Sequence, residues 1–206
     1  LAIREDAGLA VNIEFAALIC LVPILGICQL FAPKSKGSIA PMASTLFGIV
    51  YVALLLNVLQ MIRYFNAEGH WWLLYFIVVS KMSDTGAYCV GSLIGKHKMI
   101  PRVSPGKTWE GFAGGIAFSI LSSWAFFSFA NSHFAGMTFE WAIALGAVLG
   151  VGSVLGDLIE SLMKREADVK DSGSFFPGIG GILDLLDSLL FNAPIMYLAL
   201  KYGLAA

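Results

Sequence analysis

Apolar residues run along this chain in six windows of about twenty or more, the length that crosses roughly 30 Å of hydrocarbon as a helix. They cover about 9–31, 38–62, 71–94, 111–131, 141–162 and 182–204. The second and fourth are clean apolar runs, and the first is apolar apart from Glu14 near its start. The third carries Lys81 and Asp84, the fifth Asp157 and Glu160, and the sixth Asp184 and Asp187. No soluble linker or low-complexity stretch separates the windows. The pattern therefore predicts an all-α, polytopic integral membrane protein with about six transmembrane helices in one structural domain.

The polar positions between the windows orient these spans. Six spans alternate sides, and Lys34, Lys36, Lys96, Lys98, Arg102, Lys107, Lys164, Arg165 and Lys170 fall on one side, nine of the 13 Lys and Arg residues. Arg4, Arg63 and Lys201 fall on the other. Positive residues near helix ends are retained in the cytoplasm, so the 95–110 and 163–181 loops are expected there. Trp71, Trp72, Trp109 and Trp141 lie at span edges, where amphipathic rings anchor at the interface. The pairs Gly111/Gly115, Gly146/Gly150 and Gly152/Gly156 have the four-residue spacing that lets membrane helices approach closely.

Composition sharpens this picture: 58% hydrophobic and 13% charged residues exclude an ordinary soluble domain. A net charge of −1 argues against a nucleic-acid partner. Cys20, Cys28 and Cys89 sit in apolar stretches without disulfide or zinc spacing, and the three histidines are far apart.

With charge so scarce, its placement inside spans carries the argument, because an ionisable group at bilayer depth is costly and needs a partner or a wet cavity. Asp157, Glu160, Ser161 and Lys164 share one face of the fifth helix at i, i+3, i+4, i+7. Asp184, Asp187 and Ser188 repeat the first three spacings, and Lys81, Asp84 and Tyr88 mark a similar stripe on the third helix. Three such stripes can converge on one site, where clustered carboxylates repel unless a cation neutralises them. Hard oxygen ligands suit Mg²⁺, which is commonly held by a few carboxylates and substrate phosphates. Structural ion pairs, Lys81 with Asp84 and Lys164 with Glu160, are the alternative; Asp157 and Asp184 have no adjacent cation within their own spans.

The loop from Gly95 to Glu110 mixes four cations with hydroxyls and turn residues, a composition able to grip phosphates. Gly106, Lys107 and Thr108 end like a P-loop, but the first glycine of that motif would fall at Pro101, with no strand expected before it. The second loop and its flanks place Ser161, Lys164, Arg165, Lys170, Asp171, Gly173, Pro177, Gly180, Gly181, Asp184 and Asp187 in register over 27 residues. This order resembles the signature of phosphatidate cytidylyltransferases, also called CDP-diacylglycerol synthases. The segments Ser83–Tyr88 and Ser104–Gly111 are similar to that family in the same order. The resemblance departs at Ile179, where the family usually has His, and at Leu185, where it usually has Arg.

The resemblance implies transfer of a cytidylyl group from CTP to phosphatidate, giving CDP-diacylglycerol and pyrophosphate in phospholipid biosynthesis. Carried over residue by residue, Asp157, Asp184, Asp187, Lys164 and Lys170 are the expected catalytic set. Asp157, Asp184, Glu160 and Asp187 would hold the metal. Ser104, Lys107, Thr108, Ser161, Arg165, Asp171 and Asp84 would meet substrate or shape the polar wall. Mg²⁺ is the implied cofactor, with K⁺ beside it and a homodimer left open. The expected setting is a bacterial cytoplasmic membrane with the site open to the cytoplasm. Residues 1–75 are read as N-terminal transmembrane helices and 76–206 as the catalytic region. The chain begins at Leu1, and six spans are fewer than the family implies, so it is expected to be the catalytic C-terminal part. Other readings stay open here: a polyprenol or phytol kinase, a CDP-archaeol synthase, an ion-coupled transporter, or a membrane subunit without catalysis.

Overall fold

The computed structural model describes residues 19–31, 39–169, 172–173 and 181–204. Lys170 and Asp171, like Ile179, lie outside these. Two compact units divide at Leu54/Leu55. The first holds helix α1 (Ile19–Phe31) and helix α2 (Ala40–Ile49), which opens on Pro41 and runs into a π turn over Val50–Leu54. Proline suits a helix start, since the first turn has no use for its missing N–H.

The second unit contains α3 (Leu55–Arg63), α4 (Gly69–Ile94), strands β1 (Lys98–Ile100) and β2 (Ser104–Thr108), α5 (Trp109–Ala130), α6 (Phe139–Glu166) and α7 (Ile182–Ala199) with a π turn at Leu200–Leu204. Thr108 and Thr138 accept the N–H groups of Gly111 and Trp141 at 3.1 and 3.3 Å, capping α5 and α6. Among the described residues, four helical stretches are long and apolar enough to cross a membrane: Ala40–Arg63, Trp109–His133, Phe139–Glu166 and Leu183–Leu204. At 26 residues α4 matches them in length but is more polar, and the described part of α1 is shorter. The protein is thus an all-α membrane protein. Side chains such as Leu93 and Phe129, 82% and 91% exposed, need no protein cover when hydrocarbon is their solvent.

Small residues set the helix spacing. On α5 the buried positions are Gly111, Gly114, Gly115, Ser119 and Ser123. All three glycine pairs singled out in the sequence lie at helix contacts. Gly111 and Gly115 face α4, Gly146 and Gly150 face α5, and Gly152 and Gly156 face α7, where a Cβ on Gly156 would come within 2.8 Å of the Asp187 carbonyl. Trp72, Tyr75, Phe76, Phe134, Leu149 and Met196 build the apolar core. Trp72, expected as an interfacial anchor, is 1% exposed and packs on Phe134 instead, because it shares with Phe76 and Val79 the face of α4 that turns into the core. Trp109 keeps the exposure of an anchor, at 53%.

The 95–110 loop is more ordered than expected. It folds into an antiparallel hairpin with Lys98 opposite Thr108 and Ile100 opposite Ser104, closed by a turn in which Val103 N–H donates to the Ile100 carbonyl at 3.1 Å. A strand therefore does precede Pro101, but it leads into a hairpin turn rather than a phosphate loop. Glu110, in the first turn of α5, clasps the base: its carboxylate accepts the N–H groups of Lys96 and His97 and meets His97 Nδ1 at 2.5 Å. At the other side Arg165 Nε donates to the Val103 carbonyl at 3.4 Å, so both basic segments share one end of this unit.

Candidate active site

Polar stripes from α4, α6 and α7 converge beneath the hairpin. On α4, Lys81 Nζ donates to Asp84 Oδ2 at 2.9 Å and to Ser188 Oγ of α7 at 3.0 Å, and Ser188 Oγ donates to the same Asp84 oxygen at 3.0 Å. From β2, Lys107 reaches down to Asp157 at 2.5 Å and to the Val154 carbonyl at 3.2 Å. Lys164 bridges Glu160 at 2.5 Å and Asp184 at 2.7 Å, tying α6 to α7. Asp157 and Asp184, without cations in their own spans, thus obtain them from β2 and α6. The Lys81–Asp84 and Lys164–Glu160 pairs are those that helical spacing allowed, whereas Lys107–Asp157 and Lys164–Asp184 join different elements, which helical periodicity does not encode.

Asp184 is otherwise committed to the backbone. Its Oδ2 accepts from Gly181 N–H at 2.6 Å and from Ser172 N–H and Oγ at 3.1 and 2.7 Å. A carboxylate in the first helical turn caps free N–H groups and complements the helix dipole.

The remaining acids form the metal-competent group. One oxygen each from Asp157, Glu160 and Asp187 lies within 4.8 Å of the other two. Glu160 is fully buried, and its Oε1 has no hydrogen-bond partner among the described residues. Five carboxylates here, Asp84, Asp157, Glu160, Asp184 and Asp187, face three lysines. The formal excess of two negative charges equals what one divalent cation cancels, so the donor set fits such an ion.

Beside the Lys107–Asp157 pair lies a cavity of about 380 Å³ between α4, the hairpin, α5 and α6. Asp84, Tyr88 and Ser92 line its α4 side, Met99 and Thr108 the hairpin side, and Phe112 and Val154 the rest. Of the other expected residues, Ser104 pairs across the hairpin, Ser161 is half-buried on α6, and Arg165 holds the hairpin turn. Thr108 lines the cavity while capping α5. Sequence reasoning passed over Ser92, Met99 and Phe112, which carry no distinctive signal, and over the Glu110 clasp. An acid two residues after a threonine N-cap is a readable clue to that last one.

The chain is similar to known proteins along most of its length. The sequence profile of the cytidylyltransferase family matches residues 3–203. The phosphatidate cytidylyltransferase of Staphylococcus saprophyticus is 37% identical over 198 residues, covering 95% of this chain and 73% of that protein. Those of Bacillus subtilis and Chlamydia trachomatis are 40% and 41% identical over 151 and 170 residues. The matches cover 73% and 77% of this chain and 55% of each relative. With a family profile spanning nearly its whole length, this chain belongs to the cytidylyltransferase family.

Proposed function

We propose that this chain carries out the reaction its relatives are named for, moving the cytidylyl group of CTP onto phosphatidate. A phosphate oxygen of phosphatidate attacks the α-phosphorus of CTP, forming a new P–O bond. The bond from that phosphorus to the bridging oxygen breaks, and pyrophosphate leaves with the electron pair. The convergence of Asp157, Glu160 and Asp187 beneath a basic hairpin in a membrane protein is the observation that carries this reading. Asp157, Glu160 and Asp187 would hold Mg²⁺, with Asp184 acting through Lys164. When bound, the ion neutralises charge on the reacting phosphates.

Phosphoryl transfer needs placement and charge compensation more than covalent chemistry from the protein. Lys107 and Lys164 already sit among the carboxylates and are placed to share their charge with the CTP phosphates, with Arg165 nearby; Lys170 takes the same role by its place in the family signature alone. Ser104, Thr108 and Ser161 supply hydroxyls, and Asp171 is assigned to substrate by its place in the family signature alone. Asp84 orients Lys81. Helices from 76 onward form the catalytic region, residues 1–75 the membrane part before it, and the hairpin faces the cytoplasm. A lipid headgroup can enter such a site from the bilayer while its chains stay in hydrocarbon.

The test is purified protein in detergent given CTP, phosphatidate and Mg²⁺. CDP-diacylglycerol and pyrophosphate in equal amounts are expected. No CDP-lipid, with an active control enzyme alongside, overturns the assignment, and product from polyprenol, phytol or an archaeal ether-lipid phosphate instead redirects it.

A further inference from the structure

Below the charged layer lies a second polar layer that the reaction does not use. Asn192 of α7 is completely buried. Its Nδ2 lies 2.8 Å from the Leu149 carbonyl and 2.9 Å from Ser153 Oγ, both on α6, and 3.2 Å from Ser80 Oγ on α4. A carbonyl only accepts, so the group facing Leu149 is the amide NH₂. Ser153 Oγ passes the chain on, donating to the Ser80 carbonyl at 3.3 Å. Gly152 makes room for this amide, because any Cβ there would collide with Asn192 Oδ1. That oxygen has no hydrogen-bond partner among the described residues. Leucine would fill the same space without burying a polar group, so the asparagine needs a reason.

The register supplies one. Ser80, Ser153 and Asn192 each stand four residues from a site residue on the same helix: Asp84, Asp157 and Ser188 respectively. Residues four apart share a helix face, one turn up or down. One amide therefore fixes the relative height of the three helices a single turn from the carboxylates. We propose that Asn192 is a positioning residue, locking α4, α6 and α7 in the register that keeps Asp157, Glu160 and Asp187 converged on a cation. This rests on the metal reading above but not on the identity of the substrate.

The test compares wild type with Asn192→Leu in the full chain, using Mn²⁺ binding followed by electron paramagnetic resonance, with helical circular dichroism and monodispersity as the check on folding. Folded N192L is expected to bind Mn²⁺ at least ~5-fold more weakly. Its kcat with CTP and phosphatidate is expected to fall at least ~10-fold while KM for CTP stays within about twofold. A merely structural role would lower the yield of folded protein without changing the Mn²⁺ affinity of the folded fraction, so affinity within twofold of wild type overturns the proposal. If N192L does not fold, the Ser80→Ala/Ser153→Ala double variant decides by the same criterion. A wild type inactive on CTP and phosphatidate, with Mn²⁺ affinity still dependent on Asn192, refutes the reaction and leaves this inference standing. A wild type that binds no Mn²⁺ overturns the inference.

Discussion

Asp157 and Asp184 have the same sequence context, each three residues before a second carboxylate, but the fold gives them different partners. Among the described residues Asp157 makes one ion pair, with Lys107, and, itself only partly buried, contributes an oxygen to the group formed with Glu160 and Asp187. Asp184 holds Lys164, Ser172 and Gly181 and stands outside that cluster. Substitution should separate them. Asp157→Asn is expected to reduce turnover by at least ~100-fold, since charge at a metal-phosphate centre contributes several kcal/mol, with little change in thermal midpoint. Asp184→Asn is expected to reduce turnover as well, but also to lower stability by about 1 kcal/mol, because it removes the negative charge beside Lys164 and the N-terminus of α7. Parallel turnover assays and thermal melts check both. Near-normal turnover in Asp157→Asn would remove it from the metal site. The pattern of acids at i and i+3 made both residues visible in sequence. Their division of labour was not, because it depends on Lys107 and Lys164 arriving from elsewhere.

At the scale of elements, helices were legible and the hairpin was not. Hydrophobic length alone predicts a helix over 71–94 where α4 runs Gly69–Ile94, and over 141–162 where α6 runs Phe139–Glu166. The β1–β2 hairpin lacks the apolar alternation that announces strands, and it is held by the Glu110 clasp and Arg165 rather than by a buried face. The clasp is what lets Lys107 hang over Asp157, so loosening it should act on nucleotide binding first. Glu110→Gln is expected to raise KM for CTP roughly tenfold with kcat within about threefold, and to speed backbone hydrogen exchange over 96–108. Unchanged exchange there would show that the hairpin is held by other contacts. The glycine pairs Gly111/Gly115, Gly146/Gly150 and Gly152/Gly156 set the helix contacts. Their spacing was readable as a mark of close approach, but which neighbour each would meet was not.

Across the molecule, both basic segments gather at one end of the second unit, where Arg165 meets Val103, and His133 pairs with Glu68 at 3.1 Å at the opposite end of α4 and α5. Topology follows as a prediction. In protein freed of its three native cysteines, Gly106→Cys should react with a membrane-impermeant maleimide only from the cytoplasmic side, and Ser132→Cys only from the other. An added side chain at Gly106 meets nothing within 4 Å, so labelling there reports sidedness without disturbing the fold. Reaction of both from one side would refute the orientation. The membrane setting, the course of the long helices and the acids that fall within apolar windows were all readable from the chain alone, because hydrophobic length and the 3.6-residue period are local properties. Folding in three dimensions was needed to settle which lysine answers which carboxylate, that Asp184 caps while Asp157 joins the acid group, and that Asn192 bonds to two neighbouring helices. Those facts depend on contacts between residues far apart in the chain, and one-dimensional periodicity carries no record of which faces meet.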